Sequence, residues 1–445
     1  MRFTRRDVLA GAAAVPLAVA PSVTRASDFH ALAPTPPMGW NSWDSFGPTI
    51  REDEARANAA IMAKRLLPHG WNIFTVDIQW YEPGANSYDY RRGAELAMDE
   101  WGRLVPATNR FPSAAFGTGF KPLADFVHRL GLKFGIHMMR GVPRLAANRN
   151  LPILGTKYRA GDIADRVNVC PWNTDMYGID MSKPGAQDYY DSVFRLYASW
   201  GLDFIKADDM SRPYVRNAPE IHAVRAAIDR CGRPMVLSLS PGETPLAAAD
   251  DVARNANMWR ISDDFWDTWP ALLEQFERLK NWAPYRRPSA WPDADMLPLG
   301  VLEMGKRTTR LTHDEQRTLM TLWSIARSPL IMGGDLRKLD DFTASLLTND
   351  EILAVNQASG ENREVFRAHD TAAWQAKAPN SDAYIAVFNL GDVAALLPVK
   401  LAQFGLRSPM QCRDLWARRD LGSVNDSFAQ VIPSHGAGLY RLSRT

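Results

Sequence analysis

From Met38 to about Leu336 the sequence alternates short apolar runs with amphipathic stretches, and that alternation narrows the chain to few folds. The apolar runs, read as strands, are Met38–Trp43, Ile73–Trp80, Lys133–Met139, Phe204–Ala207, Met235–Ser240, Met258–Ser262, Ala294–Leu297 and Pro329–Gly333. Between them Glu52–Leu67, Phe120–Leu130, Gly185–Trp200, Ile221–Arg230, Trp269–Asn281 and His313–Ser328 have the spacing of helices with one buried face. Strand alternating with helix implies a parallel sheet. Eight such units over roughly 300 residues suit an α/β (β/α)8 TIM barrel better than an open doubly wound sheet. No Gly-x-Gly-x-x-Gly follows the first strand, which argues against a dinucleotide fold.

The texture changes near Asn356. Helical periodicity fades, and short alternating runs appear at Ala372–Ala376, Tyr384–Asn389, Leu396–Lys400, Gln430–Ile432 and Gly438–Leu442, punctuated by Gly, Pro, Asn and Asp. This predicts a barrel over residues 27–355 and a C-terminal antiparallel β-sandwich over 356–445. Tyr81–Ser113, rich in Gly, Pro, Tyr and charge, is too long for a simple connection and reads as a wall of the site.

The N-terminus carries Thr4-Arg5-Arg6 ahead of an apolar run from Val8 to Ala20, the pattern of a twin-arginine export signal. The run is too short to span a bilayer stably, and small residues at Thr24 and Ala26 fit cleavage before Ser27. The expectation is an exported protein, periplasmic or secreted, with 1–26 removed and no membrane contact in the mature form; an uncleaved membrane anchor is the alternative reading of the same run. Its three cysteines, Cys170, Cys231 and Cys412, are few, odd in number and widely spaced, so no disulfide framework is implied. A net charge of +2 without a basic run gives no argument for nucleic acid. Fifteen tryptophans do suit a carbohydrate ligand, because indole offers sugar rings a flat apolar face.

The C-terminal ends of parallel-barrel strands share one mouth, so the polar residues found there matter together. They are Trp40-Asn-Ser-Trp43, Asp77 with Trp80, His137 with Arg140, Lys206 with Asp208, Ser238 with Ser240, Arg260 with Asp263 and Asp264, and Asp293 with Asp295. A lysine beside Asp208 favours its ionised form, as a carboxylate nucleophile needs. Asp264 suits a protonated acid, since Trp259, Phe265 and Trp266 are apolar neighbours that would disfavour its charge. Arg260 would work against that if it touched Asp264, so it is placed on a substrate hydroxyl. One ionised and one protonated carboxyl can hydrolyse a glycoside. Helix capping by Asp263 and Asp264 explains those two residues equally well. Other chemistries fare worse. There is no His-x-His, no His-Glu-x-x-His and no cysteine cluster for zinc, and no Gly-x-Ser-x-Gly elbow for acyl transfer. His137 reads either as a ligand-facing donor or as a satisfied structural histidine.

Thr35-Pro-Pro-Met-Gly-Trp-Asn-Ser-Trp43 resembles the opening signature of glycoside hydrolase family 27, the α-galactosidase and α-N-acetylgalactosaminidase family within the melibiase superfamily. Lys206-x-Asp208, Trp259-Arg260-x-x-x-Asp264, Trp291-x-Asp-x-Asp-Met296 and Pro329-Leu-Ile-x-Gly-x-Asp335 resemble further family blocks in the family's order. Arg413-Asp-Leu-Trp416 and His435-Gly-x-Gly-Leu439 resemble its C-terminal sandwich. The resemblance implies a retaining exo-glycosidase without metal or other cofactor that removes terminal α-D-galactosyl residues. It makes Asp208 the nucleophile and Asp264 the acid/base. Trp43 would stack on the sugar, Asp77 and Lys206 would hold hydroxyls on the O4 side, Arg260 would hold O2, and Asp295 would lie near that same end. Asp209 is left with the role of a cap on the next helix.

One departure bears on the sugar. Family α-galactosidases carry two successive acids at the second strand end, whereas this chain has Asp77-Ile78. An apolar branch facing C5 would favour a sugar without the hydroxymethyl arm. β-L-arabinopyranose is α-D-galactopyranose without it, so a β-L-arabinopyranosidase is the alternative, unless Gln79 or Glu82 supplies the missing acceptor. Ser238-Leu-Ser-Pro-Gly-Glu243 also departs from the family pattern, and leaves Ser240 and Glu243 both open as the contact to the sugar's C2 group. A non-catalytic galactoside-binding protein on the same fold is the reading from another class.

Overall fold

Residues 29–407 and 409–444 are described by the computed structural model; the expected export signal, 1–26, lies outside them. Eight parallel strands form one curled sheet. In chain order they are Met38–Asn41, Ile73–Val76, Lys133–Met139, Phe204–Asp208, Val236–Leu239, Met258–Arg260, Trp291–Asp293 and Leu330–Met332, here called strands one to eight. Strands one to seven pair in chain order, and strand eight pairs with strand one. The ring closes just past strand seven, where Leu297 N donates to Ile331 O at 2.7 Å and Gly333 N donates to Leu297 O at 3.0 Å. This is the expected (β/α)8 barrel.

The barrel interior follows the two-residue side-chain period of a strand. Its floor is an apolar layer of Ile73, Phe204, Val236, Met258, Trp291 and Ile331. Strand three places Gly135 beside Phe204, and a Cβ there would come within 2.9 Å of the Phe204 side chain. Glycine thus admits the large ring. Two residues further along the strands the same face turns polar with Asn41, Thr75, His137, Lys206, Ser238, Arg260 and Asp293. Two further still it gives Asp77, Asp208, Ser240 and Asp295. A layered barrel therefore aims these residues at its C-terminal mouth.

Five of the six expected helices form within a few residues of their predicted limits. One is His313–Ala326, whose start is set by a capping box: Thr312 Oγ1 accepts from Glu315 N, and Glu315 accepts from Thr312 N at 2.8 Å. Two expectations need correction. Strand seven is Trp291–Asp293, not Ala294–Leu297; Asp295 adopts φ +88°, which ends the extended run. The helix expected from Ile221 begins at Tyr214, because Pro219 is accommodated inside it instead of ending it. Within 140–181, Val142–Pro143, Ala164–Val169 and Met176–Ile179 pair as a small antiparallel sheet that carries Trp172 to the mouth. Tyr81–Ser113 does wall the site, through Tyr90.

After the helix Asp350–Ala358 the chain turns antiparallel. Six strands form one sheet in the order Gly360–Ala368, Thr371–Lys377, Ala383–Asn389, Ala437–Arg444, Met410–Asp414 and Arg419–Val424, and Ala395–Lys400 pairs with Ser427–Ile432 in a second. Three of these strands are not legible in the sequence. Gly360–Ala368 and Arg419–Val424 are edge strands rich in exposed charge, so they lack the alternating pattern. The closing motifs dock this domain on the barrel. Trp416 Nε1 donates to Thr321 Oγ1 at 2.9 Å, and His435 stacks on Trp269 with ring centroids 3.9 Å apart. The three cysteines are free, and no described helix is long and apolar enough to cross a membrane.

Candidate active site

A cavity of about 470 Å³ opens at the C-terminal end of the barrel. Trp43, Ile78, Lys206, Asp208, Arg260, Asp264 and Asp295 line it, so both expected catalytic carboxyls and most of the expected sugar-binding residues meet there. Asp77, His137 and Ser240 lie just behind this wall.

Asp208 ends strand four and is 5 % exposed. Its Oδ2 lies 2.9 Å from His137 Nε2, and its Oδ1 lies 3.7 Å from Lys206 Nζ. Burial alone would raise its pKa, but Lys206 and then His137 outweigh it and hold the carboxyl down to about 2. It is a carboxylate at any working pH. Lys206 also donates to Asp77 Oδ2 at 2.9 Å. Burial would lower the lysine's pKa, but Asp208 and Asp77 keep it above its ordinary value.

Asp77 is fully buried. Its Oδ2 also accepts from Asn41 Nδ2 at 2.6 Å, and its Oδ1 accepts from the Ile78 amide at 2.8 Å. It thus has no exposed surface of its own and reaches the cavity through Lys206. His137 likewise has no exposed surface and stands against Asp208, the placement of a structural histidine rather than of a ligand-facing donor. Asp77, His137 and Asp208 bring possible ligand atoms within 4.8 Å of one another, a geometry that could hold a cation. The Lys206 ammonium already supplies that positive charge between Asp77 and Asp208.

Arg260 differs from expectation. Both its terminal nitrogens lie 3.3 Å from Asp264 Oδ1, and Nη2 lies 2.8 Å from Asp295 Oδ2. It therefore bridges two carboxylates, one of them the acid that the sequence reading keeps it away from. The apolar cover expected over Asp264 is also missing. Trp259 turns outward onto Trp282, and Phe265 packs on Trp323. The Asp264 side chain is left 52 % exposed beside Trp266. Neighbours in sequence need not be neighbours in space, and here the strand end splays them.

Ser240 and Glu243 separate cleanly. Ser240 faces the narrow polar space beneath the mouth, whereas Glu243 lies off the cavity wall, half-exposed and 3.9 Å from Arg278. Gln79 and Glu82 also stay off the wall. Gln79 donates to Asp175 at 2.7 Å, and Glu82 pairs with Arg91. Neither therefore supplies the acid missing at Ile78.

Asp209 does not cap a helix; the next one starts at Tyr214. It lies on the wall at φ +63° and takes Arg140 Nη2 at 2.7 Å. Arg140 Nη1 holds Glu220 Oε1 at 2.6 Å, so the candidate at the third strand end braces the barrel rim. Sequence reasoning missed Asp44, Tyr90 and Trp172 on the wall. Tyr90 stacks on Trp43 with centroids 5.7 Å apart and meets Trp172 at the same spacing, forming an aromatic rim. Asp44 had a signal in its position, one residue past the Trp-Asn-Ser-Trp block.

Comparison with known proteins accords with this geometry. The family model described as alpha galactosidase A matches residues 174–358, and that of the alpha galactosidase C-terminal beta sandwich domain matches 368–442. "Alpha-galactosidase 2" of Arabidopsis thaliana is 27 % identical over 93 % of this chain and 91 % of its own. A solved β-L-arabinopyranosidase of glycoside hydrolase family 27 from Geobacillus stearothermophilus is 52 % identical. It covers 94 % of this chain and 98 % of its own, with a TM-score of 0.92. A variant of that enzyme in complex with arabinose matches equally well. A putative α-N-acetylgalactosaminidase from Bacillus halodurans is 49 % identical over 92 % of this chain and 97 % of its own, with a TM-score of 0.83.

Proposed function

Since the chain belongs to glycoside hydrolase family 27 and is a glycosidase, we propose that it is a retaining exo-acting β-L-arabinopyranosidase. One observation carries the choice of sugar. Ile78 is part of the cavity wall beside the Asp77–Lys206 pair, where an acid would be needed to bind a hydroxymethyl oxygen. The 52 % identity to an enzyme of that specificity supports the same reading.

In the proposed reaction Asp208 attacks the anomeric carbon as a carboxylate while Asp264 gives its proton to the leaving oxygen. The bond to the aglycone breaks as a glycosyl ester on Asp208 forms. Water then attacks the same carbon, Asp264 takes its proton, and Asp208 leaves as a carboxylate. Two inversions return the original anomeric configuration. Lys206, held by Asp77, binds the O4 side. Arg260, which contacts Asp264 and Asp295 in the free enzyme, exchanges part of that contact for O2. Trp43 packs on the sugar face.

α-D-Galactosides, the substrate placed first on sequence grounds, form the second reading, because the two sugars match from C1 to C4 and the Arabidopsis relative is named for galactose. The test compares the two p-nitrophenyl glycosides on one preparation. A kcat/KM advantage of about tenfold or more for the arabinoside is expected. Equal or better turnover of the galactoside would remove the proposed specificity. Export by the twin-arginine route is also proposed, on the sequence of residues 1–26 alone.

A further inference from the structure

Strands one to seven each send a polar side chain inward near the mouth, and strand eight sends none. Its inward positions are Ile331, in the apolar floor, and Gly333 two residues on. No side chain fits at the second position: a Cβ on Gly333 would lie 1.9 Å from Asp44 Oδ2. The Asp44 carboxyl, carried by the short helix Trp43–Phe46 after strand one, occupies that seat. It lines the cavity, is 5 % exposed, and its Oδ2 is buried without a hydrogen-bond partner. A buried polar atom left unpaired beside an open sugar site is best explained by a partner that arrives with the ligand.

We propose that Asp44 is a substrate-binding residue that hydrogen-bonds a hydroxyl of the bound pyranose from the strand-eight side, across the barrel from Asp208. This rests on the glycosidase reading above and adds a contact to it. The groups facing Asp44 are Asp295, Lys206, Asp264, Asp77 and Tyr88. Burial first, and then Asp295, raise its pKa well above the ordinary carboxylate value, with only Lys206 opposing among these. Burial and Asp295 thus favour the protonated form of Asp44, which can donate as well as accept. A sugar hydroxyl can do both in return.

The experiment measures kcat and KM on p-nitrophenyl β-L-arabinopyranoside, with thermal melts in parallel. Asp44→Ala is expected to raise KM about tenfold or more with a smaller change in kcat, because a hydroxyl loses its partner. Its melting temperature should not fall, since the buried oxygen it removes has no protein partner. Asp44→Asn keeps a donor and an acceptor in the same shape and should lose less. The wild-type KM should climb with pH as the Asp44 carboxyl ionises, and that climb should vanish in Asp44→Asn. Gly333→Ala leaves Asp44 in the chain but crowds its carboxyl, and should raise KM as well. Wild-type KM in both Asp44→Ala and Gly333→Ala overturns the assignment. So does a loss confined to disaccharide substrates, which would place the contact on the aglycone. If the wild type turns over neither aryl glycoside, it is the proposed function that fails instead.

Discussion

His137 Nε2 lies 2.9 Å from Asp208 Oδ2, and the histidine has no exposed surface. The pair leaves the other carboxylate oxygen towards Lys206 and the cavity. His137 therefore holds one oxygen of Asp208 and, after Lys206, helps to keep the carboxyl ionised. In His137→Asn the carboxyl loses one of the two neighbours that depress its pKa. The acid limb of the kcat/KM profile should then move to higher pH, so that activity near pH 4 falls more than activity at pH 7. A uniform loss across pH would mean that His137 only fills space.

Ile78→Asp restores a second acid next to Asp77. The ratio of galactoside to arabinoside kcat/KM should rise by about an order of magnitude or more, because a paired hydroxyl discriminates strongly. Parallel assays of the two aryl glycosides measure it. An unchanged ratio would show that Ile78 does not face C5.

Asp264 is proposed to protonate the leaving oxygen, and leaving groups differ in how much they need that proton. Asp264→Ala should slow cleavage of alkyl glycosides or disaccharides by several orders of magnitude. Release of 2,4-dinitrophenolate, a good leaving group, should suffer much less in the step that forms the glycosyl-enzyme. Equal losses on both substrates would take the acid role away from Asp264.

Asp293, beneath the mouth, has its pKa raised to about 7 by burial and then by Asp295. A carboxyl whose folded pKa is raised holds its proton better in the folded state. Its contribution is complete below the unfolded value near 4 and is lost as pH rises through about 7. Asp293→Asn keeps the acceptor that Asp295 N uses at 3.0 Å and removes the titration. The variant should gain melting temperature over the wild type at pH 8 and gain little at pH 4.5. Asp208, with its depressed pKa, acts in the opposite sense, and its contribution is lost only as pH falls from about 4 towards 2.

Arg140 is buried between Asp209 and Glu220. Arg140→Met strands both carboxyls and should cost about 3–5 kcal/mol in urea unfolding. A loss below about 1 kcal/mol, the scale of an exposed ion pair, would contradict that structural role.

The barrel is legible in the sequence because its two periods are local. Phe204-Ile-Lys-Ala-Asp208 shows apolar and charged residues alternating on one strand, and His313–Ala326 announces its start with Thr312 and Glu315. Where local signals mislead, elements are misplaced. Pro219 looks like a helix break, Pro292 masks strand seven, and the edge strand Arg419–Val424 turns only Leu421 and Val424 to the core, three residues apart and off the two-residue period.

By itself the sequence determined the fold class, the meeting of Asp208, Lys206, Arg260 and Asp264 at one mouth, and the replacement of an acid by Ile78. Lys206 and Asp208 end strand four, Arg260 ends strand six and Asp264 lies in the turn after it, and a parallel barrel brings such ends to one mouth. The partners of each charge were decided only by the tertiary structure. Arg260 turns to Asp264 and Asp295, His137 backs Asp208, Asp209 serves Arg140, and Asp44 fills the place that Gly333 leaves empty. The reason is geometric. Such contacts join residues from 4 to almost 290 positions apart, and their distances depend on how the strands splay around the ring, which no local pattern encodes.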